Sequence, residues 1–296
     1  MIKKIILEKI LIVLEKIICY LDELTKKYIA KRSPIAAIHY IGSKFQDKLY
    51  NFSGQHRELA AIWKICKGHH VYDLANGTFK WVAVGIPLTL VDKSAPKGDI
   101  DLLIAVTKII PNKQGVIPLV YRVFETKTSK IDNTGKIQTS PITERKKFQK
   151  ALEQLQKLKD FGAQQIFLLD TYLVQAGYHE NKKNKSIYAS IYPEIIQKFE
   201  DIEKTDFGYI TYFLESLKGY NEETSGGFEY WIPYGANILP TKNAFDALVS
   251  KIEEFSKNNE NSGGFISYCY KCRRLIKCFP KANNLPDCPI CNKKII

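Results

Sequence analysis

Two apolar runs near the middle of the chain, GDIDLLIAV (98–106) and YRVFETKTS (121–129), carry carboxylates where core strands are normally free of charge. Burying a carboxylate is costly unless something positive meets it. Asp99, Asp101 and Glu125 therefore have to share a cation or a positive substrate group, and Lys127 is the nearest basic residue in the pattern. The two runs are followed by a charged amphipathic helix, TERKKFQKALEQLQKLKDF, closed by Gly162, and then by a third apolar run, QQIFLLDTYLV. Strands alternating with a helix of this length predict an α/β layered domain.

Elsewhere the pattern is coarser. Residues 35–67 read as helical, ending near Gly68, and Asn76-Gly77 is a hairpin signal between two strands. Residues 128–142 read as a flexible polar loop and 180–194 as a lysine- and asparagine-rich insertion. The aromatic runs FGYITYFLESL and FEYWIPYGANIL extend the same sheet or line a substrate surface. A helix at 243–257 leads through NNENSGG, a linker by composition, into a cysteine-rich tail. The organisation expected is an N-terminal helix over 1–32, a main domain over 33–260 with its core at about 38–175 and an extension at 176–260, and a small metal-binding module over 261–296.

In the N-terminal segment, the sevens LEKILIV, LEKIICY and LDELTKK align Leu7, Leu14 and Leu21 with Ile10, Ile17 and Leu24. This makes an amphipathic helix that docks on its own domain or forms a homodimer contact. Glu8, Lys9, Glu15 and Lys16 interrupt the apolar stretch, so no membrane span is expected. Five of the seven cysteines lie in the last 28 residues, which is not the spread of a disulfide framework. A reducing, cytoplasmic location is the expectation. The net charge of +13 points to a polyanionic partner, and a basic stretch over 127–159 lies beside the acidic strands.

Residues two apart on a strand share a face, so Glu125 and Lys127 point one way, and Asp99 and Asp101 share a face of their own strand. If the strands pair, an aspartate, a glutamate and a lysine converge. Oxygen-only ligation by two carboxylates suits Mg²⁺ or Mn²⁺. A lysine beside such an ion orients or deprotonates water aimed at a phosphodiester. A structural Glu–Lys pair on a half-exposed strand would look the same if it stood alone.

The order G-x-x-D on a strand, apolar-E-T-K on the next, then helix and strand resembles the PD-(D/E)xK nuclease superfamily, in particular its Holliday-junction-resolvase and RecB-like branches. The resemblance covers residues 38–175 and implies a restriction-endonuclease-like αβββαβ core, a mixed sheet flanked by helices, that hydrolyses phosphodiester bonds with a divalent metal. It implies Asp101 and Glu125 as metal ligands, the Thr126 main-chain carbonyl as a further ligand and Lys127 as the water-positioning base. It also implies a glutamate on the helix before the sheet, for which SGQHRELAAIW offers Glu58. Gln149 and Gln154 are both candidates for the glutamine that some RecB-like members carry on the following helix, and Asp99 is a peripheral ligand or a solvated group.

In the tail, Cys269-x₂-Cys272, fifteen residues, and Cys288-x₂-Cys291 have the spacing of a structural zinc ribbon, with Cys278 left over. Lys271, Arg273, Arg274, Lys277 and Lys281 between the knuckles suit phosphate contact. The expected function is a Mg²⁺-dependent DNA endonuclease with a zinc ribbon, one setting being defence against foreign DNA. DNA rather than RNA follows from the resemblance alone. Two alternatives stay open: a branched-DNA resolvase, and a catalytically silent nucleic-acid-binding or docking protein on a nuclease-derived fold.

Overall fold

The computed structural model describes residues 78–107, 119–132, 136–174, 187–215, 229–234, 236–260, 265–278 and 287–293, together with Glu58, Ala61, Ile62 and Leu74. The N-terminal helix and its expected dimer contact lie outside the described residues. Among the described residues eight strands form one mixed sheet: β1 (Thr78–Pro87), β2 (Asp99–Thr107), β3 (Leu119–Ile131), β4 (Gln165–Val174), β5 (Gly208–Glu215), β6 (Glu229–Tyr234), β7 (Phe265–Cys269) and β8 (Arg274–Cys278). Their spatial order is β6-β5-β4-β3-β2-β1-β7-β8. β1, β2 and β3 are antiparallel neighbours, whereas β4 lies parallel to β3, and β5 parallel to β4. A parallel neighbour requires a crossover, and helix α1 (Pro141–Phe161) supplies it between β3 and β4.

Local signals set the limits of α1. Ser140 Oγ accepts from the Thr143 N–H, Pro141 opens the first turn, and Gly162 closes the helix with φ of 96°. A side chain at Gly162 would also meet the Lys242 backbone nitrogen at 2.6 Å, so the cap and the packing both require glycine. Phe148, Ala151, Leu155 and Leu158 of α1 are buried on one face of the sheet. Ile195 and Ile202 of α2 (Ile187–Ile202), and Phe245, Leu248 and Ile252 of α3 (Asn243–Lys257), share that core. Ala61, Ile62, Leu74, Cys278 and Cys288 cover the opposite face.

Several segments differ from the sequence reading. Leu74 is helical, so it does not belong to the first strand of a hairpin at Asn76-Gly77; β1 itself begins at Thr78. The stretch expected as a polar loop over 128–142 continues β3 to Ile131. It then folds back, with Gln138 N–H donating to the Lys130 carbonyl at 2.9 Å and Ile137 bridging Ile131. Part of the expected insertion is α2, and both aromatic runs extend the sheet as β5 and β6. The cysteine-bearing hairpin β7–β8 joins the main sheet, β7 lying parallel to β1.

A buried ion pair ties β4, β5 and α2 together. Asp170 Oδ2 accepts from Lys198 Nζ at 2.8 Å, and from the hydroxyls of Tyr172 and Tyr209 at 2.9 Å each. Burial alone would push the Lys198 ammonium down, but Asp170 outweighs it and the pKa is raised. The stabilisation from Lys198 is therefore complete at neutral pH and is lost only as pH climbs through its raised folded pKa. Asp170→Ala leaves the buried Lys198 cation only Glu194 at 3.5 Å and the Tyr172 hydroxyl, and takes the acceptor from two hydroxyls, so the expected loss is about 3 kcal/mol. Lys198→Met leaves Asp170 two donors and loses less. Urea denaturation midpoints of the two variants test this ranking.

Candidate active site and candidate metal centre

The acidic strand ends lie where the sheet changes face. On β1, Val82 and Val84 belong to one core and Ile86 to the other, so the alternation breaks at Gly85, whose φ is 63°. Its neighbour β2 breaks in step, since Ile86 pairs with Ile100. Leu102 and Ile104 belong to the first core, but Ile100 joins Leu103 and Ala105 in the second. Strict period-two alternation would have put Ile100 with Leu102. The strand therefore turns at Asp101, and the β2–β3 ladder runs from Thr107↔Leu119 only as far as Leu102↔Phe124.

Beyond that pair, side chains replace the ladder. Thr126 N–H donates to Asp101 Oδ2 at 2.6 Å. Lys127 Nζ donates to Glu125 Oε1 at 2.5 Å and to the Thr126 carbonyl at 3.2 Å. Because the N–H and C=O of one strand residue point the same way, both main-chain groups of Thr126 are turned toward the departing β2. Glu125 is 3% exposed at its side chain and Lys127 18%, so the pair is shielded and still reachable.

The electrostatics join four of the expected residues. Loss of hydration pushes the Asp101 carboxyl well above its usual range, and Glu125 and Glu58 add repulsion. Glu125 is raised chiefly by burial, with Lys127 opposing. Burial would lower Lys127, but Glu125, Asp101 and Glu58 outweigh it and keep it a cation. Glu125 touches the ammonium, Asp101 and Glu58 act on it through their charge, and Glu58 is helical and half-buried. The oxygen donors of Asp101, Glu125 and the Thr126 carbonyl are of the kind a hard divalent ion takes. Among the described residues, however, the carboxylates do not close into a set of three within 4.8 Å.

The remaining candidates lie apart. Gln149 is exposed and lines a cleft of about 270 Å³ between α1 and α2, with Glu144, Glu194 and Lys198. Gln154 is half-buried on α1, its Oε1 without a hydrogen-bond partner. Asp99 accepts a 2.5 Å hydrogen bond from the Tyr270 hydroxyl. Tyr270 escaped the sequence reading, and nothing in the local pattern marks a contact 171 residues away.

Tyr270 sits in the second site. The sulfurs of Cys269, Cys272, Cys288 and Cys291 all lie within 4.8 Å of one another, and Cys278 is not among them. Cys269–Cys291 and Cys272–Cys288 sulfur separations are 3.7 Å. A tetrahedral ion with bonds of about 2.3 Å to sulfur needs edges of about 3.8 Å. The two knuckles repeat one backbone device. Arg273 N–H donates to the Cys269 carbonyl at 2.7 Å and Asn292 N–H to the Cys288 carbonyl at 2.9 Å. Both donors have φ of 53°. Cys272 N–H and Ile290 N–H point at the sulfurs of Cys269 and Cys288. Burial raises Cys288, but the N–H groups of Cys291 and Ile290 outweigh it and hold the thiol at about 7. Burial pushes Cys278 well up, as for an inert core thiol. Four close cysteines in this arrangement can hold one structural metal ion.

Two outcomes are expected. Metal analysis finds one tightly held ion per chain in wild type and in Cys278→Ser, and none in Cys288→Ser. Asp101→Asn keeps an acceptor for Thr126 N–H while removing a poorly hydrated charge beside Glu125. In the absence of divalent ions it raises the unfolding free energy, read from urea denaturation, by about 1 kcal/mol. The sign follows from the raised pKa: the penalty on the fold sets in as pH rises above the unfolded carboxylate's ordinary value and is complete above the raised folded one.

Compared with family models, with curated proteins and with solved structures, the chain has no match.

Proposed function

We propose that this chain is a divalent-metal-dependent nuclease of the PD-(D/E)xK type that hydrolyses phosphodiester bonds in DNA, with a structural zinc ion at its four cysteines. The observation that carries the reading is the meeting of Asp101, Glu125, Lys127 and the Thr126 carbonyl where β2 parts from β3. A Glu–Lys pair alone would be unremarkable. Its placement beside a second, half-buried carboxylate, with a main-chain carbonyl turned into the same gap, is the pattern a hydrolytic centre needs.

In this reading Asp101 and Glu125 hold Mg²⁺ or Mn²⁺ together with the Thr126 carbonyl, and Glu58 adds negative potential from the neighbouring helix. When bound, the ion supplies charge neutralisation at the scissile phosphate and makes water more acidic. Lys127 has a second duty. With Glu125 engaged elsewhere, its ammonium loses the partner that keeps its pKa high. Once it has given its own proton to solvent, the neutral amine is able to orient the attacking water and accept its proton. The water oxygen bonds to phosphorus, the P–O3′ bond breaks, O3′ takes a proton from solvent, and a 5′-phosphate and a 3′-hydroxyl remain. The chain's net charge of +13 favours encounter with a polyanion.

The deciding experiment incubates supercoiled plasmid, linear duplex, branched DNA and RNA with the full chain in Mg²⁺, Mn²⁺ or EDTA. Cleavage is expected with either ion and not with EDTA. Glu125→Gln and Lys127→Ala are each expected to lose about two to three orders of magnitude in rate while retaining DNA binding in gel shifts. Preference for the branched substrate would select the resolvase form. Binding without cleavage of any substrate would leave a docking protein and end the hydrolase reading.

A further inference from the structure

The cysteine centre and the carboxylate cluster are joined by one side chain. Tyr270 directly follows Cys269, the last residue of β7, and lies inside the first knuckle. β7 is anchored parallel to β1 by the Val84↔Ser267 pairing and by a 2.8 Å hydrogen bond from Ser267 Oγ to the Val84 carbonyl. On its other side β1 pairs Pro87 with Asp99, the first residue of β2. Strands are about 4.8 Å apart, so β7 and β2 are separated by about twice that distance. A phenol is long enough to reach across the intervening strand. Its hydroxyl meets Asp99 Oδ1 at 2.5 Å, while the ring packs edge-on against Tyr268 with centroids 5.1 Å apart.

Asp99 lies two residues before the turn at Asp101, and its charge adds to the repulsion on Glu125. We infer that Tyr270 is a positioning residue through which the metal-clamped knuckle holds the start of β2, so that occupancy of the cysteine centre sets the geometry of Asp101. The knuckle backbone is fixed by hydrogen bonds to the Cys269 carbonyl and sulfur. A bound ion locks those groups, and with them the direction of the phenol. Without the ion the knuckle has no covalent or ionic closure, and Asp99 loses a donor whose direction is set. The catalytic half of this inference rests on the nuclease reading; the coupling between the centre and β2 does not.

The test therefore begins with a readout independent of activity. Amide hydrogen exchange at residues 99–102 is measured in wild type, Tyr270→Phe and Asp99→Asn, before and after zinc is stripped with a chelator. Tyr270→Phe keeps the ring and the cysteines, so its zinc content should equal wild type. Its 99–102 amides should nevertheless exchange faster than wild type before stripping, and stripping should add little more. In wild type, stripping should raise exchange to the level of the variant. Asp99→Asn retains an acceptor for the hydroxyl and should stay near wild type. Calorimetric titration with Mn²⁺ should show affinity about tenfold weaker for Tyr270→Phe, and the Mg²⁺ dependence of cleavage should shift by the same factor.

Equal exchange at 99–102 in zinc-replete wild type and Tyr270→Phe would overturn the coupling, whatever the nuclease assay gives. Coupled exchange in a protein that neither binds Mn²⁺ nor cleaves nucleic acid would uphold the coupling and defeat the nuclease reading instead.

Discussion

The arrangement depends on keeping carboxylates on a core sheet where they are poorly hydrated. Asp101 is pushed toward its neutral form by burial and by Glu125, Glu125 by burial with Glu58 and Asp99, and the Lys127 ammonium is the counterweight among the described residues. A fold built for stability alone would place valine or isoleucine at these positions. The sheet instead interrupts its ladder after Leu102↔Phe124 and uses the Asp101 carboxylate to satisfy the Thr126 N–H that β2 would otherwise have met. This substitution prevents an unpaired buried amide and at the same time aims the carboxylate into the gap.

The contrast with Asp170 is instructive. That carboxylate is also buried on β4, yet it accepts from a lysine and two tyrosines at ordinary distances and closes its own network. It joins β4, β5 and α2. The cluster around Lys127 is different in kind: one carboxylate pairs with the ammonium, the charges of two others act on it, and part of the lysine remains exposed. The first arrangement is electrostatically complete. The second has an excess of negative charge with access from outside.

The sheet also brings the two candidate centres together. β1 lies between β2, with the acidic strand start, and β7, which ends on the first ligand cysteine. A cysteine hairpin hanging from a linker could influence the other site only by chance collision. Hydrogen-bonded to β1 and buried against it through Phe265 and Ile276, the hairpin occupies a defined position relative to Asp99.

Much of this was legible locally. The charged amphipathic pattern and the Gly162 stop mark α1, although its Ser140-Pro141 start falls in the stretch that reads as loop; the apolar runs mark β2, β3 and β4, and the x₂ spacings single out four of the tail's five cysteines. These features are encoded within a few residues of themselves, because periodicity, capping and knuckle geometry are short-range properties. The continuation of β3 past Thr128 and the helix over Ile187–Ile202 were not legible, since local polar composition loses to tertiary pairing when a neighbour is available. The sequence by itself singled out the candidate residues, Glu58, Asp101, Glu125, Lys127 and the four cysteines, of which the structure gathers the cysteines into one cluster. Only the tertiary structure decided that β2 turns at Asp101, that β7 docks beside β1, and that Tyr270 reaches Asp99. Those depend on which strands become neighbours, and strand adjacency is set by the burial of both sheet faces together rather than by any stretch read alone.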